Sequence, residues 1–171
     1  MSGDVTFRDA TPADAAVLAD LGARTFADTF GHLYRPEDLA AFLAGHRVEA
    51  WAAELADPAF AVRIGEAAGE AVAYAKMGPA KLPITPPVGA IELRQFYVLA
   101  THHGAGVAPV LMDWVIATAR ARGATAVYLS VFIDNARARR FYERYGFRRI
   151  GTYAFMVGNH ADEDDLMVLD L

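Results

Sequence analysis

The chain has 171 residues, of which 54% are hydrophobic and 22% charged, with a formal net charge of −5 and no cysteine. This length predicts one domain, residues 1–171, with a sizeable core, and the lack of cysteine excludes disulfides, zinc–thiolate sites and a thiol nucleophile. The acidic balance argues against a nucleic-acid partner, and neither a secretory signal nor an apolar run of membrane-spanning length is evident. We therefore expect a cytoplasmic protein without a membrane or nucleic-acid partner.

The N-terminal third predicts one short strand followed by helices. Val5 to Arg8 alternates as a strand does, and Thr11-Pro12-Ala13-Asp14 predicts a helix start, with an N-cap hydroxyl, a proline at the first helical position and an acid three residues on. Residues 25–34 (TFADTFGHLY) are interpreted as the frayed end of this helix and a turn. Two more helices are predicted over 36–43 and 48–58, separated by a break at Gly45.

The middle of the chain predicts a hairpin and then a central strand. Residues 60–66 and 70–77 are β-type runs around a turn-forming sequence at 67–69, and a proline-rich loop follows over 78–90. The strand 91–99 contains the run FYVL, which predicts burial on both faces.

The last part of the chain predicts helix, strand, helix and two strands. A helix with an apolar face from Val107 to Thr118 ends at Gly123, and the strand 125–132 leads through Asp134-Asn135 into a short helix closed by Gly146. Two final strands, 147–157 and 165–171, flank an acidic turn at 158–164. The order β, helices, β-hairpin, β, α, β, α, β, β predicts a mixed α/β fold with an antiparallel part.

Charge is unevenly distributed along the chain. Residues 91–150 contain nine arginines and four acids, a balance of +5, whereas 1–90 and 151–171 each carry −5. The central segment is therefore expected to bind an anion, and its surroundings suit a cation.

A glycine loop, Gly104-Ala105-Gly106-Val107-Ala108, lies between the central strand and the following helix. Backbone N–H groups at such a helix N-terminus can bind a phosphate, although glycines also make plain tight turns. The loop is not a P-loop, because no Gly-Lys-Ser/Thr follows, and Pro109 stands where a dinucleotide fingerprint has its third glycine.

A second motif follows the next strand: Asn135, then Phe141-Tyr142, then Gly146-Phe147. With the segment from His103 to Ala108, which matches the pyrophosphate loop Gln/Arg-x-x-Gly-x-Gly/Ala, residues 91–147 resemble the acetyl-CoA-binding half of the GCN5-related N-acetyltransferase (GNAT) superfamily. The resemblance extends over most of the chain, and the flanking segments resemble the bacterial branch that includes polyamine N-acetyltransferases.

The resemblance implies a GNAT fold, with a mixed central sheet, a splayed central strand and a strand–loop–helix acetyl-CoA site. Phe96-Tyr97-Val98 would hold the pantetheine arm and the thioester carbonyl, and Asn135 would hydrogen-bond the pantetheine region. The pyrophosphate would be held by the loop residues His103, Gly104, Ala105, Gly106, Val107, Ala108 and Pro109. His103 departs from the usual Arg or Gln, and Pro109 stands where a basic residue is common, so phosphate binding would depend on backbone donors and on arginines elsewhere.

The chemistry of acetyl transfer requires a base and an acid. An alkylammonium has a pKa near ~10.4, so a base must remove its proton before the amine attacks a thioester; Glu92, upstream on the central strand, is the candidate, with a structural acid as the alternative. A backbone N–H near Tyr97 would stabilise the oxyanion. Tyr142 would stand by the sulfur and protonate the leaving thiolate, or else be a core aromatic, and direct transfer needs no covalent enzyme intermediate.

Other features leave alternatives open. His102-His103 lacks further ligands, so we expect a loop and no metal site. The acids Asp28, Glu37, Asp38, Asp162, Glu163, Asp164 and Asp165 either line a pocket for a cation or, as the favoured interpretation, are largely solvated. The arginines Arg137, Arg139, Arg140 and Arg144 meet CoA phosphates or only water.

The favoured function is an acetyl-CoA-dependent N-acetyltransferase acting on a small-molecule amine, with polyamines preferred. The alternatives are a protein N-terminal acetyltransferase and a non-catalytic acyl-CoA-binding sensor. Monomer and homodimer are both compatible with the sequence.

Overall fold

The computed structural model describes residues 4–44, 47–82 and 89–171, and within them the chain forms a seven-stranded sheet with helices on both faces. The strands are β1 (Thr6–Asp9), β2 (Ala61–Ala67), β3 (Glu70–Gly78), β4 (Ala90–Val98), β5 (Ala126–Phe132), β6 (Arg148–Val157) and β7 (His160–Asp170). The helices are α1 (Ala15–Phe30), α2 (Pro36–Leu43), α3 (Val48–Ala56), α4 (Val107–Ala121) and α5 (Ala136–Arg144). The predicted break at Gly45 and residues 83–88 of the proline-rich loop lie outside the described residues.

The strand order is β1-β2-β3-β4-β5-β7-β6, and β4–β5 is its parallel pair. That pair is short: residues 90–92 of β4 face 126–128 of β5, whereas β4 stays paired with β3 as far as Val98. Beyond Glu92 the two strands therefore diverge. The predicted mixed α/β fold with a splayed central strand is confirmed.

A β-bulge in β4 decides which side chains face which side of the sheet. Leu93 pairs with Met77 and Gln95 with Lys76, so Arg94 is an extra residue without a partner. In a regular strand, residues five positions apart point to opposite faces. The bulge cancels one step of that alternation, so that Glu92 and Tyr97 share one face.

Each face of the sheet has its own core. On one face α4 packs its apolar side, including Leu111, Met112 and Val115, against β3, β4 and β5. On the other face, α1 and α3 cover β2 and β3 through Leu18, Trp51 and other buried residues. Residues 94–98 of β4 are only half-buried. The prediction that this strand is buried on both faces is wrong there, because its edge toward β5 is open.

The first helix is longer than the sequence predicts. Residues 25–30 continue α1 instead of fraying, and the Thr25 hydroxyl donates to the Leu21 carbonyl at 2.8 Å. Phe26 is buried, and its ring centroid lies 4.2 Å from that of Phe42 on α2. This packing stabilises the last turn enough to override the weak helix propensity of Thr and Asp.

The predicted acidic turn is also shorter than expected. β7 begins at His160, so the turn spans little more than Gly158 and Asn159, and residues 160–164 belong to the strand. β7 pairs with β5 on one side and β6 on the other, and these backbone hydrogen bonds override the low β propensity of aspartate. Asp162, Asp164 and Asp165 are consequently buried, as is Asp38 on α2, and the favoured interpretation of these four acids as solvated is wrong; Asp28, Glu37 and Glu163 are exposed.

Gly158 fixes the β6–β7 turn against α2. Its φ is +59°, and a Cβ added there would lie 2.7 Å from the Cα of Asp38. The Asp38 carboxylate in turn accepts a hydrogen bond of 2.9 Å from the Asn159 backbone N–H. The turn thus depends on the absence of a side chain at this position.

We expect Gly158→Ala to lower the free energy of unfolding by about 1–3 kcal/mol, from the backbone clash and the left-handed conformation. Gly151→Ala is the matched control, because it lies on the preceding strand with no atom within 4 Å of the added Cβ and no positive φ. Urea unfolding of both variants measures the difference. Equal stability of the two variants would contradict the proposed clash.

Candidate active site

A cavity of about 1420 Å³ lies where β4 and β5 diverge. Its walls come from both faces of the sheet: the glycine loop, α4 and α5 on one side, and α1, α2 and β7 on the other. Because the gap between the strands joins these two sides, a molecule bound against α4 could meet one bound beneath α1.

The structure brings the predicted site residues together in this cavity. Glu92, Asn135 and Tyr142 line it, as do the strand residues 96–98 and all but one of the loop residues from His103 to Pro109. The exception is Ala105, whose backbone N–H donates to the His102 carbonyl at 3.3 Å.

The glycine loop has the backbone geometry of an anion site. Gly104 and Gly106 have φ values of +76° and +80°, and Gly106 is the N-cap of α4, so no side chain caps the first N–H groups of the helix. Open space surrounds both glycines, so their role is conformational. Uncapped N–H groups at the positive end of a helix dipole can bind a phosphate, although Pro109 contributes no N–H to this set.

His103 connects the loop to β4 and α5. Its Nε2 lies 2.8 Å from the Val98 carbonyl oxygen, and its Nδ1 lies 2.6 Å from Nη1 of Arg137. A neutral ring satisfies both contacts, because Nε2–H donates to the carbonyl while Nδ1 accepts from the guanidinium. His103, which replaces the usual Arg or Gln, thus holds Arg137 beside the loop. From the sequence alone, Arg137 could equally have met only water.

Asn135 caps α5. Its side-chain oxygen accepts a hydrogen bond of 3.2 Å from the Ala138 N–H, so its amide nitrogen is the group available to the cavity. The cap fixes the start of the helix that carries Tyr142.

Tyr142 is buried beside the open edge of β4. Its ring packs against Phe96, Phe141 and Phe147 at centroid distances of 6.3, 5.6 and 5.7 Å. Burial raises the pKa of the Tyr142 phenol above its usual value, and the neighbouring Tyr97 raises it further. The hydroxyl is therefore held in its protonated form.

Glu92 lies on the opposite face of the sheet, with 9% of its surface exposed. Its Oε1 accepts hydrogen bonds from the backbone N–H groups of Lys81 and Leu82, at 2.8 and 3.2 Å. These contacts show a structural role for one oxygen and fix the orientation of the carboxylate in the cavity wall.

Aromatic side chains line the part of the cavity beneath α1 and α2. Phe26, Phe30, Tyr34 and Phe42 contact one another and reach Phe132 on β5 and Phe155 on β6. The Tyr34 hydroxyl donates to Asp162, which also lies 3.1 Å from Nε2 of His160. Aromatic faces beside carboxylates suit an organic cation.

Asp164 and Asp165 are neighbours on β7 with different environments. Asp165 is 2% exposed and lies 2.7 and 3.2 Å from Arg149 and Arg139; burial opposes its ionisation, but these hydrogen bonds outweigh it and lower its pKa. Asp164 points to the other face and lines the cavity. Burial raises the pKa of Asp164 to about 7, with contributions from Asp162 and Asp165 and an opposing hydrogen bond from Ser130.

A buried lysine also contributes to the cavity wall. Lys76 Nζ lies 2.9 Å from Glu54 and 4.2 Å from the centroid of the Trp51 ring, and burial lowers its pKa despite the Glu54 contact. The opposite charges of Lys76 and Glu54 cancel, so the carboxylates of β7 are the dominant charge in the part of the cavity beneath α1.

Tyr34, Ser130 and Lys76 also line this cavity, although they are not among the residues predicted from the sequence. Tyr34 and Lys76 carry no local signal, because only the packing of α1 and α3 on the sheet brings them there. The alternation of Asp162, Asp164 and Leu166 could have indicated a strand face. Within the described ranges, no group of three or more His, Cys, Asp or Glu could hold a metal ion, and no helix has the length and apolarity for a membrane span.

Comparisons with known proteins agree with this geometry. Residues 23–147 match the model of the acetyltransferase (GNAT) family. An uncharacterized N-acetyltransferase of Mycobacterium tuberculosis (strain H37Rv) is 38% identical over 159 residues, covering 92% of this chain and 98% of the relative.

Two solved structures share the fold. PaiA N-acetyltransferase from Thermoplasma acidophilum, in complex with coenzyme A, has a TM-score of 0.79 at 14% identity, covering 98% of this chain and 99% of that one. YncA from Salmonella typhimurium, with its cofactor acetyl-CoA, has a TM-score of 0.71 at 23% identity, covering 99% and 95%. The two solved structures share the fold, and the family match and the 38% identical relative show that the chain belongs to the GNAT family and is an N-acetyltransferase.

Proposed function

We propose that this enzyme transfers the acetyl group of acetyl-CoA directly to a small primary amine. The observation that carries the proposal is the cavity through the β4–β5 gap, which Tyr142 lines from one face of the sheet and Glu92 from the other. A thioester held at the open edge of β4 can then be attacked from beneath α1 and lose its thiolate toward α5.

In this proposal the cofactor half is built from residues 91–147. The backbone groups of 96–98 that point away from β3, apart from the Val98 carbonyl already engaged by His103, hold the pantetheine arm and the thioester carbonyl, with the amide of Asn135 beside the arm. Residues 103–109 hold the pyrophosphate through backbone N–H groups, with Arg137 supplying the positive charge that Pro109 and the neutral His103 do not.

The reaction is a single displacement at the thioester carbon. The amine lone pair forms the C–N bond, and the carbonyl oxygen becomes an oxyanion that a backbone N–H near Tyr97 stabilises. The intermediate then collapses, the C–S bond breaks, and the Tyr142 hydroxyl gives its proton to the thiolate; the proton that Glu92 has taken returns to the phenolate through water. Because burial raises the pKa of the phenol, this transfer is uphill and is driven by release of the product.

Glu92 takes a proton from the attacking nitrogen, directly or through water. Two backbone N–H groups hold Oε1, so Oε2 is the oxygen that would receive it. The bulge at Arg94 supports this role, because it puts Glu92 on the face from which the amine approaches.

The lining of the acceptor side supports a cationic organic amine. Aromatic rings and the carboxylates Asp162 and Asp164 would attract an ammonium with a carbon skeleton, and polyamines are the preferred candidates within this class. A cytoplasmic location is part of the proposal, since acetyl-CoA is a cosubstrate used inside cells.

The direct test measures release of free CoA thiol from acetyl-CoA in the presence of single amines. The panel comprises spermidine, putrescine, 2-phenylethylamine, an amino acid and a peptide with a free N-terminus. Amine-dependent release with a small amine supports the proposal, whereas release with the peptide alone would indicate a protein N-terminal acetyltransferase.

Tyr142→Phe should lower kcat by about 100-fold, because it removes the proton donor for the thiolate while keeping the ring. The KM for acetyl-CoA should change less than about twofold, because that packing persists. Tyr145→Phe is the matched control: it lies on the same half of the chain at the end of α5, and its hydroxyl makes only a long contact of 3.5 Å with Pro109. Unchanged turnover in Tyr142→Phe would eliminate it as the acid.

Glu92→Gln should lower kcat/KM for the amine by about 100-fold, the usual cost of losing a general base. The amide oxygen can still accept the N–H groups of Lys81 and Leu82, so the thermal midpoint should match that of the wild type. Glu70→Gln, exposed on β3, controls for the loss of one negative charge. If Glu92→Gln keeps full activity, the residue has only its structural role.

A further inference from the structure

Acetylation of an alkylammonium removes two protons from nitrogen. The first must leave before the nitrogen has a lone pair, and the second leaves after the C–N bond forms; one proton ends on the CoA sulfur and one goes to solvent. An amine of pKa ~10.4 is uncharged in only about 1 molecule in 2500 at pH 7. Glu92 can hold only one of these protons at a time, so if Glu92 takes the proton that leaves as the C–N bond forms, the first proton needs another acceptor.

Asp164 is placed to meet an incoming cation. It is 5% exposed, it lines the cavity, and it stands opposite Phe132 on β5 and Tyr153 on β6. Among the described residues it forms no ion pair, in contrast to Asp165 on the same strand with its two arginines. A carboxylate buried without a positive partner is costly unless it is protonated or a cation binds beside it.

The environment of Asp164 also relates it to the reacting centre. Its charge contributes to the raised pKa of Tyr97, after the larger effect of burial, and Tyr97 in turn contributes to that of Tyr142. Asp164, Tyr97 and Tyr142 all line the cavity, the first two on the acceptor side of the sheet and Tyr142 on the other side. Tyr97 also belongs to the strand segment that the proposed function places around the thioester.

The groups that face Asp164 carry no positive charge of their own at neutral pH. They comprise the Ser130 hydroxyl on β5, the phenols Tyr34, Tyr97 and Tyr153, and the carboxylate of Asp162, while the carboxylate of Asp165 acts on Asp164 from the other face of the sheet. The imidazole of His160 lies 3.1 Å from Asp162. An ammonium would thus be the missing partner of this pocket.

We infer that Asp164 is the catalytic carboxylate that binds the acceptor's ammonium group and takes its first proton. The inference rests on the proposed function and deepens it, because it specifies an acceptor that arrives as a cation. In the step, the N–H bond breaks, its electrons become the lone pair of the neutral amine, and the proton forms an O–H bond on Asp164. The amine then attacks the thioester, and Asp164 returns the proton to water in the cavity.

The pocket gives this carboxylate a suitable basicity. Burial raises the pKa of Asp164 to about 7, which makes it a stronger base than an exposed aspartate while leaving much of it ionised near neutrality. Below about pH 7 the Asp164 carboxyl group is protonated and can no longer accept the proton, so activity with a cationic amine should fall as the pH falls.

The decisive test uses two substrates of the same shape and different basicity. In 2-phenylethylamine the nitrogen is charged near neutrality, whereas in O-benzylhydroxylamine, where oxygen replaces one carbon, it is uncharged and has no first proton to lose. Asp164→Asn should lower kcat/KM for 2-phenylethylamine by about 100-fold at about pH 7 and for O-benzylhydroxylamine by less than about threefold.

Glu163→Gln is the matched control, since it removes one charge from an exposed position on the same strand. A structural role for Asp164 would slow both substrates equally, and equal slowing would overturn the inference. Failure of the wild type to acetylate any amine of the panel would instead refute the proposed function, so the two failures are distinguishable.

The pH dependence of kcat/KM in the wild-type enzyme is a second test, and it can be carried out even if Asp164→Asn does not fold. With Asp164 as proton acceptor, kcat/KM for 2-phenylethylamine rises to a plateau above about pH 8, because ionised Asp164 and the ammonium are then both abundant. A continued rise of about tenfold per pH unit up to about pH 9.5 would show that the enzyme uses only the free amine from solution, which contradicts the inference.

Discussion

The short pairing of β4 with β5 is the constraint on which the rest of the site depends. Three residues of each strand pair, and then the strands diverge. The divergence leaves one edge of β4 with free backbone groups and opens a passage between the faces of the sheet. The bulge at Arg94 completes the arrangement, because it puts Glu92 and Tyr97 on the acceptor side while Leu93 and Phe96 stay against α4.

The two faces of the sheet differ in charge: arginines lie on the face of the glycine loop and α5, and carboxylates on the face beneath α1. On β7, Asp165 is neutralised by Arg139 of α5 and Arg149 of β6, whereas Asp164 turns toward the aromatic wall and forms no ion pair with any described residue. On the loop side, His103 places Arg137 where a diphosphate would lie. Consecutive residues of one strand therefore serve stability and chemistry separately, since alternate side chains meet different surroundings.

Local patterns in the sequence predict most of this fold. The amphipathic stripe of α4, the glycines of the loop and the turn at Asp134-Asn135 are local signals, and the structure places each of them as predicted, within one or two residues. The exceptions depend on partners distant in the chain. Residues 25–30 remain helical because Phe26 packs on Phe42, and residues 160–164 extend because β7 lies between two strands. Because the sequence predicted an acidic turn over 158–164, it did not separate the buried Asp164 from the exposed Glu163.

The division of the cavity between the two faces also bears on how such an enzyme can diverge. The aromatic and acidic wall comes from α1, α2 and β7, whereas the loop, Asn135 and Tyr142 lie within 103–142 on the other face. Asp164 even falls outside the segment that matches the family model, which ends at residue 147. Substitutions in the wall can therefore accumulate without disturbing the groups around the thioester, so acceptor preference and the transfer chemistry are free to evolve independently.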